Sequence, residues 1–275
     1  MTPWRPGADL TTLRARAEIL TQIRTFFAQR EVLEVQIPVL SSSTVTDPDV
    51  ESIQVPGHGY LQTSPEYYMK RLLAAGAPSI YSLGQVFRQD EQGSRHNPEF
   101  TMLEWYRLGL DDGELIQEVA GLVDVVLGEA AYASVTYAAL VGGVAGERAE
   151  LDLRFAQACD ALGPGRFFVT DYPADRAALA RLKDSDRAAR FELIIDGIEI
   201  ANGYWELTDA DEHVRRFAED ATLRAKRGLV SHVPDEHFLQ ALRHGLPDCA
   251  GVALGLDRLL MLALGKTHIK QTQTF

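Results

Sequence analysis

Residues 80–108 constrain the fold more than any other stretch of the chain. IYSLGQVFR and FTMLEWYRL both read as strands, and the polar run QDEQGSRHNPE lies between them. Strands joined by a loop alone pair antiparallel, because parallel neighbours need a long crossover, usually a helix. A loop of this length in a compact domain is usually functional. A second strand pair is legible in FELIIDGIEIANGYWEL, and GVALGLDRLLMLALG reads as a strand entering a helix. Residues 8–30 carry Leu13, Ile19, Leu20, Ile23, Phe26 and Phe27 at helical spacing. The order helix, strands, helices, strands, helices predicts an α+β fold, an antiparallel sheet flanked by helices. Strand pairs joined by turns argue against a doubly wound parallel sheet.

The remaining segments fit that frame. Val32, Leu33, Val35 and Ile37 read as a strand ending at Pro38, and SSSTVTDPD as a loop. A helix follows from TSPE, with Ser64 as N-cap, Pro65 at the first helical position and Glu66 in the first turn. Residues 111–145 read as one or two helices, and 149–190 as a charged, Ala-rich stretch with a short strand at Phe167–Thr170. Residues 209–246 read as helical. No repeat or linker divides the chain, so residues 1–275 are expected to form a single domain.

Charge and cysteine content narrow the function. Lys and Arg number 27 against 39 Asp and Glu, a formal charge of −12. That balance disfavours non-specific nucleic-acid binding, which needs cations to neutralise phosphates, although a local basic groove stays open. Cys159 and Cys249 lie far apart and read as small core residues, which points to a reducing, cytoplasmic setting. MTPWRPGADL has no apolar signal-peptide core, and no apolar run approaches the ~20 residues of a membrane span.

Three segments carry chemistry. In the hairpin, Arg88, Asp90, Glu91, Arg95 and His96 crowd one loop. Glu104 and Tyr106 share one strand face, and Leu103 and Trp105 supply the opposite, apolar face. Two cations and several carboxylates suit an anionic ligand with a bound metal; a solvated, salt-bridged hairpin would carry similar charges. In GIEIANGYWELTD, Glu199 lies in an apolar strand, where a carboxylate without a partner is costly. It calls for a cation, a metal, a ligand or a wet strand end. Glu206 follows seven residues later, and Asn202-Gly203 between them reads as a hairpin turn signal. In GVALGLDRLL, Gly251, Ala253 and Gly255 leave room for a ligand or another backbone. Arg258 follows in the first helical turn, an arrangement suited to phosphate as well as to tight packing. Asp257 there reads as a cap or a charge complement for the helix start.

Taken in order, the N-terminal helix and strand, the 80–108 hairpin and the last strand-to-helix segment resemble motifs 1, 2 and 3 of the class II aminoacyl-tRNA synthetases. Motif 1 is the helix and strand ending at Pro38, motif 2 is FRQDEQGSRHNPEFTMLEWY and motif 3 is GVALGLDRLLML. TSPEYYMKRLL, RHNPEFTMLEWY and IEIANGYWELTDA resemble the lysyl-tRNA synthetase catalytic domain, over roughly residues 12–265. The motif 1 helix begins within the first dozen residues, which leaves no room before it for an anticodon-binding OB-fold domain. With HNPEFTMLEWYR, IANG and PDCAGVALGLDRLLMLALG, the chain resembles the stand-alone elongation factor P–(R)-β-lysine ligase family.

The resemblance implies a two-step ligase. ATP activates lysine or β-lysine as an adenylate, and a lysine side chain of elongation factor P takes the acyl group. By the same resemblance, Arg88 and Arg258 are catalytic. Arg88, Gln89, Asp90, His96, Asn97, Phe100, Glu199, Ile200, Gly255 and Arg258 contact ATP, Ile200 through its backbone only. Glu199 holds Mg²⁺. Ser64, Pro65, Glu66, Glu104, Tyr106, Glu206 and Ala253 surround the amino acid, with Glu104, Tyr106 and Glu206 around its side-chain ammonium. Asp90 stands where the synthetases carry Glu, with Glu91 as a substitute, and Ala253 stands where lysyl-tRNA synthetases usually carry Gly. The tail GKTHIKQTQTF departs from the family pattern by its polar residues. A homodimer through motif 1 is expected, and tRNA is not the expected acceptor. The alternatives are a minimal lysyl-tRNA synthetase charging tRNA or another carrier, and a non-catalytic regulatory subunit; retention of Arg88, Glu199 and Arg258 argues against the latter.

Overall fold

The structure is a computed structural model that describes residues 4–275. Its elements run α1 (Leu10–Ala28), β1 (Leu33–Glu34), β2 (Leu40–Ser41), β3 (Gln54–Val55), β4 (Gly59–Leu61), α2 (Glu66–Ala74), β5 (Ile80–Phe87) and β6 (Glu99–Leu108). There follow α3 (Asp112–Leu127), β7 (Tyr132–Thr136), α4 (Tyr137–Leu140), α5 (Arg148–Ala161), β8 (Arg166–Pro173), β9 (Arg187–Ile195) and β10 (Ile198–Trp205). The chain ends with α6 (Ala210–Lys226), α7 (Glu236–Gly245), β11 (Cys249–Gly255), α8 (Leu256–Ala263) and a 3₁₀ turn at Ile269–Gln271. The fold is α+β, as the strand pairs predict. It falls into two compact units, residues 1–106, 208–247 and 255–275, and residues 107–207 and 248–254.

The first unit is organised by the β5–β6 hairpin, in register from Ile80↔Tyr106 to Phe87↔Glu99. β1 adds to β5 in parallel, so the strand expected over 32–37 shortens to two paired residues. The apolar face of β6 packs against the motif 1 helix. Phe27 of α1 stacks on Tyr81 at 4.4 Å between centroids and meets Trp105 edge-on at 5.3 Å. α1 starts at an Asp9 cap whose carboxylate accepts from Thr12 N at 2.7 Å. α2 starts one residue later than expected. Pro65 is its N-cap, while Ser64 Oγ accepts from Glu66 N at 3.1 Å.

Asp257 is the acid in the first turn of α8 but makes no cap hydrogen bond there. Its side chain is buried and accepts from Arg16 of α1 at 2.5 Å, Thr101 N of β6 at 2.8 Å and Gln273 of the tail at 2.9 Å. The polar tail is therefore well anchored. Ile269 is buried and donates its N–H to Ser94 of the motif 2 loop at 2.7 Å.

The second unit is the strand series β11-β10-β9-β8-β7, antiparallel except for the parallel β7–β8 pair. One face is covered by Tyr137, Leu151, Cys159, Val169, Tyr172 and Ile194. α3 packs on β9 and β10. β7 was not visible in the Ala-rich sequence; Gly128, with φ of 81°, ends α3 and frees the YASVT stretch. The β9–β10 turn is Asp196-Gly197, with φ of 50° and 72°, a conformation these residue types tolerate. Asn202-Gly203 is therefore not a turn but mid-strand. Glycine is required there by packing, since a Cβ on Gly203 would stand 2.3 Å from the Phe191 ring. Cys159 and Cys249 are buried and free. Among the described residues no helix is long and apolar enough to cross a membrane.

Candidate active site

In the first unit, α2 and β6 bring an acidic cluster together around Glu104. Glu104 is 3% exposed. Tyr106 donates its hydroxyl to Glu104 Oε1 at 2.7 Å, and Ser64 donates to Oε2 at 2.8 Å. Burial, followed by the charge of Glu66, pushes the Glu104 carboxyl up to about 8. A carboxylate held in so dry a site recovers stability when a cation arrives. Glu66 is reached from the same helix: Lys70 Nζ donates to Glu66 Oε1 at 2.6 Å. Ser64, Glu66, Glu104 and Tyr106 are thus brought together as expected, while Pro65 only starts the helix.

A second set in this unit comes from the motif 2 loop and α8. Arg88 lies 5.3 Å over the Phe100 ring, approaches Glu91 at 3.3 Å and donates to the Thr63 carbonyl at 3.4 Å. Arg258 Nη2 stands 2.7 Å from His96 Nε2, and its Nε donates to the Arg95 carbonyl at 3.3 Å. Two arginines close to carbonyls and an imidazole, all on a loop and a helix start, suit a polyphosphate. Gln89 donates its backbone N–H to the Glu51 carbonyl at 2.9 Å. Asn97 gives its amide to the Glu99 carbonyl at 2.9 Å, and Gly255 is the N-cap of α8. Asp90 is exposed with φ of 62°, a left-handed backbone that Asp adopts more readily than Glu. That conformation accounts for the shorter acid at this position. Glu91, the proposed substitute, is engaged with Arg88.

In the second unit, one sheet face collects the remaining residues. Asn202 pairs with Glu192 on one side and Ala253 on the other, and Tyr204 pairs with Arg190 and Gly251. Partners in register share a face, so Glu192, Asn202 and Ala253 form one row and Arg190, Tyr204 and Gly251 the next. Glu206 continues the β10 side of this face and is 1% exposed. Glu199 is exposed; the buried member is Glu192, which accepts from Arg190 at 2.6 Å. Burial, then the charge of Glu199, pushes the Glu192 carboxyl up to about 7. A buried carboxylate with a second one beside it on the same sheet face suits a hard divalent cation. The β10 register skips at Ile200, and such a bulge leaves a backbone group out of the ladder, as a backbone contact requires.

Sequence reasoning missed Glu192, Arg190 and Lys70. Glu192 sits in FELIID, seven residues before Glu199, and the two-strand reading already placed both on one hairpin. Once Asp196-Gly197 is taken as the turn, the two carboxylates belong to one site. Lys70 gave no signal beyond a lysine on the apolar side of a helix.

A family model described as tRNA synthetases class II (D, K and N) matches residues 5–275. The elongation factor P–(R)-β-lysine ligase of Vibrio campbellii is 41% identical, in a match covering 100% of this chain and 98% of that protein. The chain belongs to the elongation factor P–(R)-β-lysine ligase family. Relatives of the same name from Yersinia enterocolitica and Pseudoalteromonas translucida are 41% and 42% identical, each over 99% of this chain and 97% of their own length. The family thus carries the motif 1, 2 and 3 architecture of the class II synthetases on a chain of this size.

Proposed function

We propose that the protein is an ATP-dependent ligase that activates (R)-β-lysine, or lysine, as an adenylate and transfers it to a lysine side chain of elongation factor P. The observation that carries this reading is the full-length likeness to ligases of that name. The Glu104 pocket supports it. A buried carboxylate flanked by two hydroxyl donors suits a ligand ammonium, and such a site disfavours substrates without one by roughly 10⁴-fold.

In the first step the amino-acid carboxylate attacks the α-phosphate and pyrophosphate leaves. Arg88 bridges carboxylate and α-phosphate, and Arg258 holds the γ-phosphate. His96, Asn97 and Gln89 line the nucleotide, Asp90 reaches toward the adenine amino group, Phe100 stacks on the base, Gly255 leaves room for it, and Ile200 adds only a backbone contact. Positioning and charge stabilisation carry this chemistry, with little side-chain proton transfer. Glu199, joined by Glu192, would hold Mg²⁺, which screens the phosphate charge when bound. Among the described residues no group of three or more His, Cys, Asp or Glu could hold a metal. A cation held by two carboxylates would therefore share its shell with phosphate oxygens and water, as Mg²⁺ commonly does. Of the residues the family resemblance assigns to the amino acid, Ser64, Pro65, Glu66, Glu104 and Tyr106 belong to the first unit, and Glu206 and Ala253 to the second. In the second step the acceptor amine attacks the acyl carbon and AMP leaves.

The chain works as a single catalytic module in the cytoplasm, with elongation factor P and not tRNA as acceptor. A homodimer through motif 1 is favoured by Leu33, Val39 and Leu40, which leave apolar side chains exposed after α1. The test is one competition. Purified protein, ATP and Mg²⁺ are incubated with either lysine isomer, elongation factor P and bulk tRNA. Mass gained by elongation factor P with tRNA uncharged is the expected result. Charged tRNA with unmodified protein would overturn the reading in favour of a minimal synthetase.

A further inference from the structure

The acidic pocket of the first unit contains a cation of its own. Lys70 is 1% exposed, in the middle of α2, and its Nζ lies 2.6 Å from Glu66 Oε1 and 5.9 Å from the centre of the Tyr106 ring. A buried ammonium is costly and persists only where it is paired. Ser64 ties the Glu104 carboxylate to the backbone at the start of α2, the helix that carries Glu66 and Lys70. Its hydroxyl accepts from Glu66 N and donates to Glu104. The titratable groups around the cluster are Glu66 and Tyr67 on α2, Glu104 and Tyr106 on β6, and His213 on α6, with Asp220 and Arg216 of α6 beyond them. His213 is buried, and burial together with Lys70 holds its ring neutral, down to about 4. With His213 neutral, Lys70 is the cation of this cluster, paired to Glu66.

We propose that Lys70 is a positioning residue for amino-acid binding: its buried ammonium fixes the Glu66 carboxylate and supplies the internal countercharge that lets Glu66 and Glu104 share one pocket before a substrate ammonium arrives. This rests on the reading of Glu66 and Glu104 as amino-acid ligands. Without the lysine, Glu66 loses its partner and its charge bears undiminished on Glu104. The pocket then holds its proton to higher pH and meets the substrate ammonium in the wrong ionisation state.

The experiment is ATP–pyrophosphate exchange with Lys70→Met, which keeps the stem and removes the charge. The KM for (R)-β-lysine should rise at least tenfold and the KM for ATP stay within twofold. The pH at which the amino-acid KM improves should move upward, a shift that loss of packing alone would not produce. Glu104→Gln is run beside it. A silent Lys70→Met with an inactive Glu104→Gln overturns the role of Lys70 and leaves the pocket standing. A silent Glu104→Gln overturns the pocket and this inference with it. Should Lys70→Met not fold, the wild-type protein decides. Its Lys70 ammonium resonance, assigned by Lys→Arg changes at the other lysines, should shift on saturation with (R)-β-lysine. A resonance that does not move overturns the proposal.

Discussion

Arg258 Nη2 and His96 Nε2 stand 2.7 Å apart, joining the start of α8 to the motif 2 loop. A guanidinium can only donate, so the imidazole nitrogen accepts. The same arginine also donates to the Arg95 carbonyl. The loop is therefore held by the residue proposed to take the γ-phosphate, and a triphosphate must exchange with these contacts or extend them.

His96→Ala removes the acceptor and loosens the loop around Arg258. A hydrogen bond contributes about 0.5–1.5 kcal/mol on average, and solvent exposure here holds the charged pair to that ordinary range. The KM for ATP in pyrophosphate exchange should rise about threefold to tenfold, with the amino-acid KM unchanged. An unchanged ATP KM would separate His96 from nucleotide binding.

Ala253 stands beside Asn202, in the row that also holds Glu192. Its methyl group is the difference from the glycine that lysyl-tRNA synthetases usually carry. One methyl beside a bound substrate is worth about 1–3 kcal/mol. Ala253→Gly should therefore shift the ratio of α-lysine to β-lysine activation toward α-lysine, by roughly tenfold. Parallel exchange assays with both isomers give the ratio, and a constant ratio would rule out a role for the methyl group.

How much of this was legible beforehand depends on the interaction involved. The β5–β6 hairpin and the two faces of β6 follow from alternation, because each apolar face finds a helix or a neighbouring strand. Glu104 and Tyr106 were visible for that reason. The buried role of Asp257 was not visible because a residue at a helix start is ordinarily solvated. Its partners Arg16 and Gln273 are 241 and 16 residues away in sequence, and neither local pattern nor charge announces them. The turn at Asp196-Gly197 was masked by a second, equally good turn dipeptide at Asn202-Gly203. The choice between them is made by Phe191, whose ring fills the space a side chain at 203 would need. The tail looked atypical by its polar residues, yet those residues make its anchoring bonds, Gln273 to the Glu99 carbonyl at 3.1 Å among them.

Glu104 links pocket chemistry to stability. Its carboxyl is raised from an ordinary 4.5 to about 8, first by burial and then by Glu66. Between those values the folded protein holds a proton that the unfolded chain releases. Stability at this site is full below about pH 4.5 and is lost as pH rises to about 8. Glu104→Gln cannot ionise and keeps a donor and an acceptor for Ser64 and Tyr106. The variant should melt a few degrees above wild type at pH 8, about 2–4 °C per kcal/mol for a domain of this size. The difference should vanish near pH 5. Melting curves at the two pH values check the sign, and a larger gain at pH 5 would contradict it.

Glu192 and Glu199 make a prediction about the metal. Arg190 already neutralises one oxygen of Glu192 at 2.6 Å, and a cation shared with Glu199 would use the others. Removing one ligand of a site built from two carboxylates weakens the metal more than it weakens the nucleotide, whose phosphates keep their arginines. Glu199→Gln should raise the Mg²⁺ concentration for half-maximal exchange at least tenfold, and excess Mg²⁺ should restore part of the rate. Glu192→Gln should do the same and also leave Arg190 with a neutral partner, so its melting temperature should fall while that of Glu199→Gln, on an exposed side chain, stays within a degree or two. Equal Mg²⁺ dependence in wild type and both variants would mean that the pair holds no metal, and that Glu192 serves only to pair Arg190 beneath the sheet.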